Sequence, residues 1–201
     1  MSTQRQAAGL ACALVLLVWL GCAPAFADTI GVRSARLVAT DEGYALSADF
    51  RVELAPRLEE ALAAGVALHF VVECEVTRVR AWWLDERLAS ERQELRLSYQ
   101  PLLRQYRLSR GALHQTFQRL AEALEAMGQL SGWMVADRER IRSGSAHSVF
   151  LRMRLDTTQL PRPMQLTVVT TRDWTLASEW LRFNIDAAGV PAPAPAPGAG
   201  K

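Results

Sequence analysis

A regular alternation of apolar and other side chains between residues 44 and 54 limits most strongly how this chain can fold. One set is apolar: Tyr44, Leu46, Ala48, Phe50, Val52 and Leu54. The intervening set is small or polar: Ala45, Ser47, Asp49, Arg51 and Glu53. Successive side chains of a β-strand point to opposite faces, so this pattern predicts a strand with one buried face and one face in water.

The same period of two recurs along the chain. Before this strand, residues 30–40 predict a partner strand joined to it at Asp41-Glu42-Gly43, where the glycine is expected to supply a positive φ. After it, residues 68–76 alternate until the phase slips near Arg78, which predicts a β-bulge. Further extended segments are expected within 93–109 and at 132–141, 147–156, 164–171 and 175–185.

Two segments instead show helical spacing. A short helix is predicted to start at Pro56, to bury Leu58 and Leu62, and to end at Gly65. A longer amphipathic helix is predicted from Leu113 to Gly128, because apolar residues recur there every three or four positions.

These elements predict a mainly β protein, namely a two-layer antiparallel β-sandwich with one short and one longer amphipathic helix; an α+β arrangement is the alternative. Residues 28–187 are long enough for a single domain with one core. Residues 188–201 are rich in proline, alanine and glycine, which predicts a disordered tail.

The first 27 residues have the features of a secretory signal peptide. Arg5 precedes an apolar run at residues 7–20, and small residues flank Phe26 at the expected cleavage site after Ala27. The expected compartment is the periplasm. Lipid attachment at Cys22 and an uncleaved anchor remain as alternatives, and they are the only predicted routes to the membrane.

Composition argues against nucleic-acid binding. The formal net charge is +2 for the whole chain and +1 without Arg5 and the rest of the predicted signal.

Cys74 is the single cysteine of the chain once the predicted signal is removed, and its position on the apolar side of a strand predicts a buried thiol.

No catalytic, cofactor-binding or metal-binding residues are predicted. The sequence lacks a glycine-rich phosphate loop, a nucleophile elbow and a zinc-protease motif. His69, Glu73 and Glu75 share the polar face of one predicted strand, but residues 69 and 73 are more than ~13 Å apart along it, too far for a single ion. Cross-strand pairing of the carboxylates with arginines such as Arg96 is the preferred interpretation.

Tryptophan gives the clearest indication of a binding surface. Trp82 and Trp83 are adjacent, so in an extended chain they face opposite sides and cannot both enter the same core. Burial between layers would account for both residues. The alternative is a partner-binding face that contains one member of the pair and nearby arginines, and its candidate residues are Trp82, Trp83, Arg78, Arg80 and Arg87.

Five short motifs occur in order along the chain: Trp82-Trp83-Leu84-Asp85-Glu86, Leu97-Ser98-Tyr99, Arg104-Gln105-Tyr106-Arg107-Leu108, Leu151 to Asp156 with Leu160-Pro161, and Asp173-Trp174 with Ser178-Glu179-Trp180. In these motifs the chain resembles a family of exported Gram-negative bacterial proteins with a domain of unknown function. The resemblance implies a signal segment and a role near a membrane sensor kinase linked to nitrogen control. It implies no catalytic residues.

The resulting hypothesis is a periplasmic, non-enzymatic module that binds a protein or another envelope component, such as the periplasmic segment of a sensor kinase. The alternative is a small-ligand binder or hydrolase with a pocket between the sheet and a helix.

Overall fold

Two antiparallel β-sheets form the framework of the protein. The computed structural model describes residues 30–78, 86–141, 147–162, 164 and 176–185. Within these residues, one sheet has three strands in the order β1-β2-β7, and the other has six in the order β6-β5-β4-β3-β8-β9. In chain order the strands are β1 (Ile30–Ala39), β2 (Gly43–Val52), β3 (Leu68–Arg78), β4 (Glu86–Gln100), β5 (Gln105–Arg110), β6 (Leu113–Phe117), β7 (Gln129–Asp137), β8 (His147–Leu155) and β9 (Leu181–Ile185).

One hydrophobic core lies between the two sheets. Phe50 of β2 and Phe70 of β3 are both almost completely buried, and so are Leu37, Leu46 and Leu151. Every strand pair is antiparallel. The predicted β-sandwich with two helices is therefore confirmed.

The short helix α1 (Pro56–Ala63) follows its prediction. Proline occupies its first turn, where no backbone donor is required, and Leu58 and Leu62 are fully buried. Gly65 follows the helix with φ of 91°, a conformation that suits glycine.

The longer helix was predicted too long. Helix α2 covers Leu120–Gly128, whereas Leu113–Phe117 form strand β6. Gly111, with φ of 57°, permits a tight turn after β5, and the following residues extend the sheet by pairing with Tyr106–Arg110. The prediction failed because the apolar residues of this edge strand happen to continue the spacing of the helix.

The turn between β1 and β2 lies where expected, but Gly43 has a different role. Its φ is not positive. Instead, a Cβ atom at this position would overlap the carbonyl oxygen of Ala136 and lie 3.3 Å from its carbonyl carbon. Gly43 therefore allows β7 to approach β2 closely at this point.

The phase slip in β3 was predicted to within two residues. The pairing of β3 with β4 changes register between Val76 and Thr77, consistent with a β-bulge just before Arg78. The predicted signal peptide, the tail at 188–201 and all but residue 164 of the extended segment predicted at 164–171 lie outside the described residues. Among the described helices, none is long and apolar enough to span a membrane.

Cys74 is buried in the core, and this predicts an inert thiol. Only 1% of the residue is exposed, and burial raises the pKa of the thiol to about 12. In the chain that starts at Asp28, we expect labelling by a thiol reagent at pH 8 to be roughly 1,000-fold slower than for an ordinary cysteine, because the thiolate is the reactive form. Labelling measured with and without denaturant tests this, and rapid reaction of the native protein would contradict it.

Candidate binding surface

A single buried carboxylate organises the outer face of the six-stranded sheet, the face turned away from β1, β2 and β7. The Glu73 side chain is only 8% exposed. Arg152 donates from its Nε to Glu73 Oε2 at 3.0 Å, and its Nη2 also contacts that oxygen. Arg154 Nη2 lies 3.2 Å from the other carboxylate oxygen, and Arg92 Nε lies 3.6 Å from it. Three guanidinium groups thus surround one acidic side chain.

The antiparallel register produces this cluster. Glu73 lies at the centre of β3, directly opposite Arg92 on β4 and Arg152 on β8. Arg154 is two residues further along β8 and therefore on the same face. Charged pairs directly across a sheet are close enough to interact, so strand pairing alone brings the charges together.

The arginines keep Glu73 ionised. Burial by itself raises the pKa of this carboxyl, but the hydrogen bonds and positive charges of Arg152 and Arg154 together outweigh burial, and the pKa lies below its ordinary value of 4.5. The carboxylate is negatively charged at neutral pH. It balances one of the three neighbouring positive charges, and Asp156, with Oδ1 3.8 Å from Arg154 Nη1, partly balances another.

Positive charge exceeds negative charge over the outer face as a whole. The strand registers place more arginines than glutamates on this face among the described residues: Arg87, Arg92, Arg96, Arg107, Arg152, Arg154 and Arg182, against Glu73, Glu75 and Glu94. We call this set of residues the arginine face. Arg87 and Arg92 have side chains that are 62% and 70% exposed, so the face is open to a charged partner.

Aromatic rings accompany the arginines at one side of this face. The guanidinium carbon of Arg152 lies 4.3 Å from the centroid of the Trp180 ring, and that of Arg182 lies 5.4 Å from the centroid of Phe150. Trp180 is 41% exposed. An exposed tryptophan stacked on arginine combines the two residue types that contribute most at protein interfaces.

The residues of the predicted partner-binding face are only partly described. Trp82, Trp83 and Arg80 lie outside the described residues. Arg78 pairs with Glu86 on β4, with Nη1 and Oε2 3.2 Å apart, and Arg87 lies on the arginine face with Nη2 3.4 Å from Glu75 Oε2. The face around the tryptophan pair therefore stays a prediction.

The interpretation of the polar face of β3 is confirmed in part. Glu73 and Glu75 pair with arginines of neighbouring strands, as expected, but Arg96 lies opposite His69 and not opposite a carboxylate. Burial and Arg96 lower the pKa of His69, so its imidazole is neutral at neutral pH. The described residues contain no group of three metal-ligating side chains placed to hold an ion.

A cleft also lies between the three-stranded sheet and the helices. It has a volume of about 470 Å³ and is lined by β2, by Glu59 of α1 and by Glu125 of α2. Its two arginines are paired within the cleft: Arg33 Nη1 lies 3.7 Å from Asp49 Oδ2, and Arg51 Nε donates to Glu53 Oε1 at 2.7 Å. The cleft is therefore predominantly acidic.

Sequence reasoning missed Trp180 as an exposed residue and the convergence of arginines on Glu73. A partial signal was present, because Arg152 and Arg154 alternate with the buried Leu151, Met153 and Leu155 and must share the outer face. The missing information was which strand lies beside β8.

Comparison with known proteins identifies the family of this chain. Neither the curated proteins nor the solved structures contain a match to this chain. A family model described as a domain of unknown function, DUF4390, matches residues 27–184, which is most of the chain. The chain therefore belongs to the DUF4390 family.

Proposed function

We propose that this chain is an exported binding module that recognises an acidic segment of an envelope protein on its arginine face. The observation that carries the proposal is the excess of arginine around Glu73. Each guanidinium has five N–H donors, and one carboxylate with four acceptor sites cannot satisfy all three groups. Donors remain for the carboxylates of a partner, to which arginine binds in a bidentate, charge-assisted way.

The chemistry of the partner follows from the surroundings of Trp180. Next to its ring is a mainly apolar depression of about 370 Å³, lined by the start of β1 and by residues 177–181. An apolar side chain of the partner fits this depression while acidic neighbours reach Arg152 and Arg182. A periplasmic segment of a membrane sensor kinase is the first partner to examine, because the family resemblance points to one.

Trp180 is the residue that tests this proposal most directly. We expect Trp180→Ala to remove the partner that is crosslinked to the wild-type chain in the bacterial envelope and identified by mass spectrometry. With the purified partner, the dissociation constant should rise by about 30-fold, the effect of losing an interface hot spot. Added salt should weaken wild-type binding, because exposed charges are screened.

Met134→Ala is the matched control. Met134 is 39% exposed, close to the value for Trp180, but it lies on β7 of the other sheet. The proposal that the arginine face binds the partner would be wrong if Trp180→Ala and Met134→Ala captured the same partner in equal yield. Loss of the partner in Trp82→Ala or Trp83→Ala alone would place the interface at the tryptophan pair instead.

The acidic cleft beside α2 supports the alternative function, a small-ligand binder or hydrolase. Glu59 and Glu125 line it in addition to the carboxylates already paired with arginine, which favours a cationic ligand. Native mass spectrometry of the protein purified from cells decides between the two functions: a bound cationic metabolite supports this one, and a crosslinked acidic protein supports the first.

A further inference from the structure

The turn between β4 and β5 carries two leucines that project into solvent. This turn, residues 101–104, is called the hairpin tip below. Leu102 is 99% exposed and Leu103 is 65% exposed. Single exposed leucines are common on protein surfaces, but two adjacent ones at the end of a projecting hairpin form an apolar point that the described residues leave uncovered.

The backbone of the hairpin tip is strained at Arg104, the residue after the two leucines. Arg104 has φ of 52°, a left-handed conformation that is costly for residues other than glycine. Strain of this kind tends to persist at functional positions. Here the strained position places a guanidinium group directly beside the two leucines, and Arg104 makes no ion pair within the described part of the chain.

Below the hairpin tip, Gln100 pairs with Gln105, and the second pair of the hairpin is aromatic. Tyr99 and Tyr106 lie opposite each other with ring centroids 4.9 Å apart. From the end of the hairpin inward, the order is therefore leucine, arginine, glutamine and tyrosine. A bilayer offers matching layers: acyl chains, lipid phosphates and the interface where tyrosine is enriched. Residues 100–107 contain two arginines and no acidic residue, which suits anionic lipids.

We propose that the hairpin tip inserts into the surface of an anionic bilayer, with Leu102 and Leu103 among the acyl chains and Arg104 at the phosphates. The shape favours lipid over protein. A convex apolar point would require a matching pocket in a protein partner, whereas a fluid bilayer closes around it without one. This contact adjoins the arginine face at Arg107 but is separate from the predicted N-terminal segment, and it would orient the domain on the membrane.

The experiment places an environment-sensitive fluorophore on the full chain at Leu102→Cys, with Cys12→Ser and Cys22→Ser so that the buried Cys74 is the only other thiol. On vesicles of phosphatidylethanolamine and phosphatidylglycerol, we expect a blue shift of emission and quenching by brominated lipids. Adding Leu103→Ser should raise the lipid concentration for half of the response by at least about 10-fold. Neutral phosphatidylcholine vesicles should bind the tip about 5-fold more weakly because of Arg104.

Leu113→Cys supplies the matched control. Leu113 is also a leucine, is 74% exposed and lies in the same sheet, but it follows the β5–β6 turn at the opposite end. A response at Leu102 and none at Leu113 supports insertion of the tip. Equal responses at both positions would overturn the proposal, since they would reflect attachment through the N-terminal segment alone. A tip probe that stays in water on vesicles, or responds only to a protein partner, would overturn it as well.

Discussion

Replacement of Gly128 by alanine is expected to destabilise the protein by at least about 3 kcal/mol, near the upper end for an overpacked site. Gly128 is the last residue of α2, where the helix touches β2. A Cβ atom here would overlap the carbonyl oxygen of Phe50 and lie 3.1 Å from its carbonyl carbon. Both neighbours are backbone atoms, so the overlap cannot be relieved by a change of rotamer. The helix would have to move away and would withdraw Ala123 and Met127 from the core.

Thermal unfolding followed by circular dichroism measures this effect. For a domain of this size, a loss of that magnitude lowers the melting temperature by about 6 to 12 °C. Gly31→Ala is the control, because a Cβ atom there would lie 4.0 Å from the Cβ of Arg51, an ordinary contact. It should change stability by less than about 0.5 kcal/mol. Equal melting temperatures for the two variants would show that α2 is not held closely against β2.

Replacement of Glu73 by glutamine is expected to cost about 3 kcal/mol, because it leaves the guanidinium groups of Arg152 and Arg154 without their buried counter-charge. The size of the side chain is preserved, so the loss reflects charge and not packing. A distinct pH dependence should accompany it. The pKa of Glu73 is lowered in the folded state, so its contribution is complete above the ordinary value of 4.5 and is lost as the pH falls through the lower folded pKa.

Urea unfolding at several pH values checks this prediction. The difference in unfolding free energy between the wild type and Glu73→Gln should be constant near neutral pH and should shrink below about pH 4.5. Arg92→Ala provides a scale for the measurement: its side chain is 70% exposed, so its removal should cost less than about 1 kcal/mol. Equal stability of Glu73→Gln and the wild type at neutral pH would contradict the prediction. It would show that the arginines are stabilised mainly by solvent and not by Glu73.

Much of the β framework could be predicted from local pattern. Strand β2 and strand β8 each bury one face completely enough that a period of two is visible in the sequence. Burial on one face constrains every second residue, so the local sequence alone predicts these strands. Pro56 and Gly65 likewise marked the ends of α1 through their own backbone preferences.

The error at residues 113–119 has a physical cause. Strand β6 lies at the edge of its sheet, and most of its residues are exposed on both faces. An exposed edge strand shows no alternation, so its apolar residues could be assigned to the adjacent helical pattern. What decides its conformation is pairing with β5, which depends on the turn at Gly111 and on the position of the neighbouring strand.

The candidate site could be predicted only in its parts. Pairing of Glu73 with arginine followed from its position on the polar side of β3, but the particular arginines come from β4 and β8, and their identity depends on the strand order. The exposure of Trp180 could not be predicted either, because Trp180 lies outside any regular strand or helix and its exposure depends on how residues 177–181 run beside β8 and approach β1.

The position of β3 has a consequence for how the protein matures. Its neighbour β8 follows far along the chain, so that Phe70 pairs with Leu155. As the chain is made from its amino terminus, β3 and β4 can form a hairpin early. The other edge of β3 then keeps unpaired backbone N–H and C=O groups. Closing so large a loop is slow. An unpaired strand edge can pair with other chains, so the risk of aggregation is highest until residues 147–155 arrive.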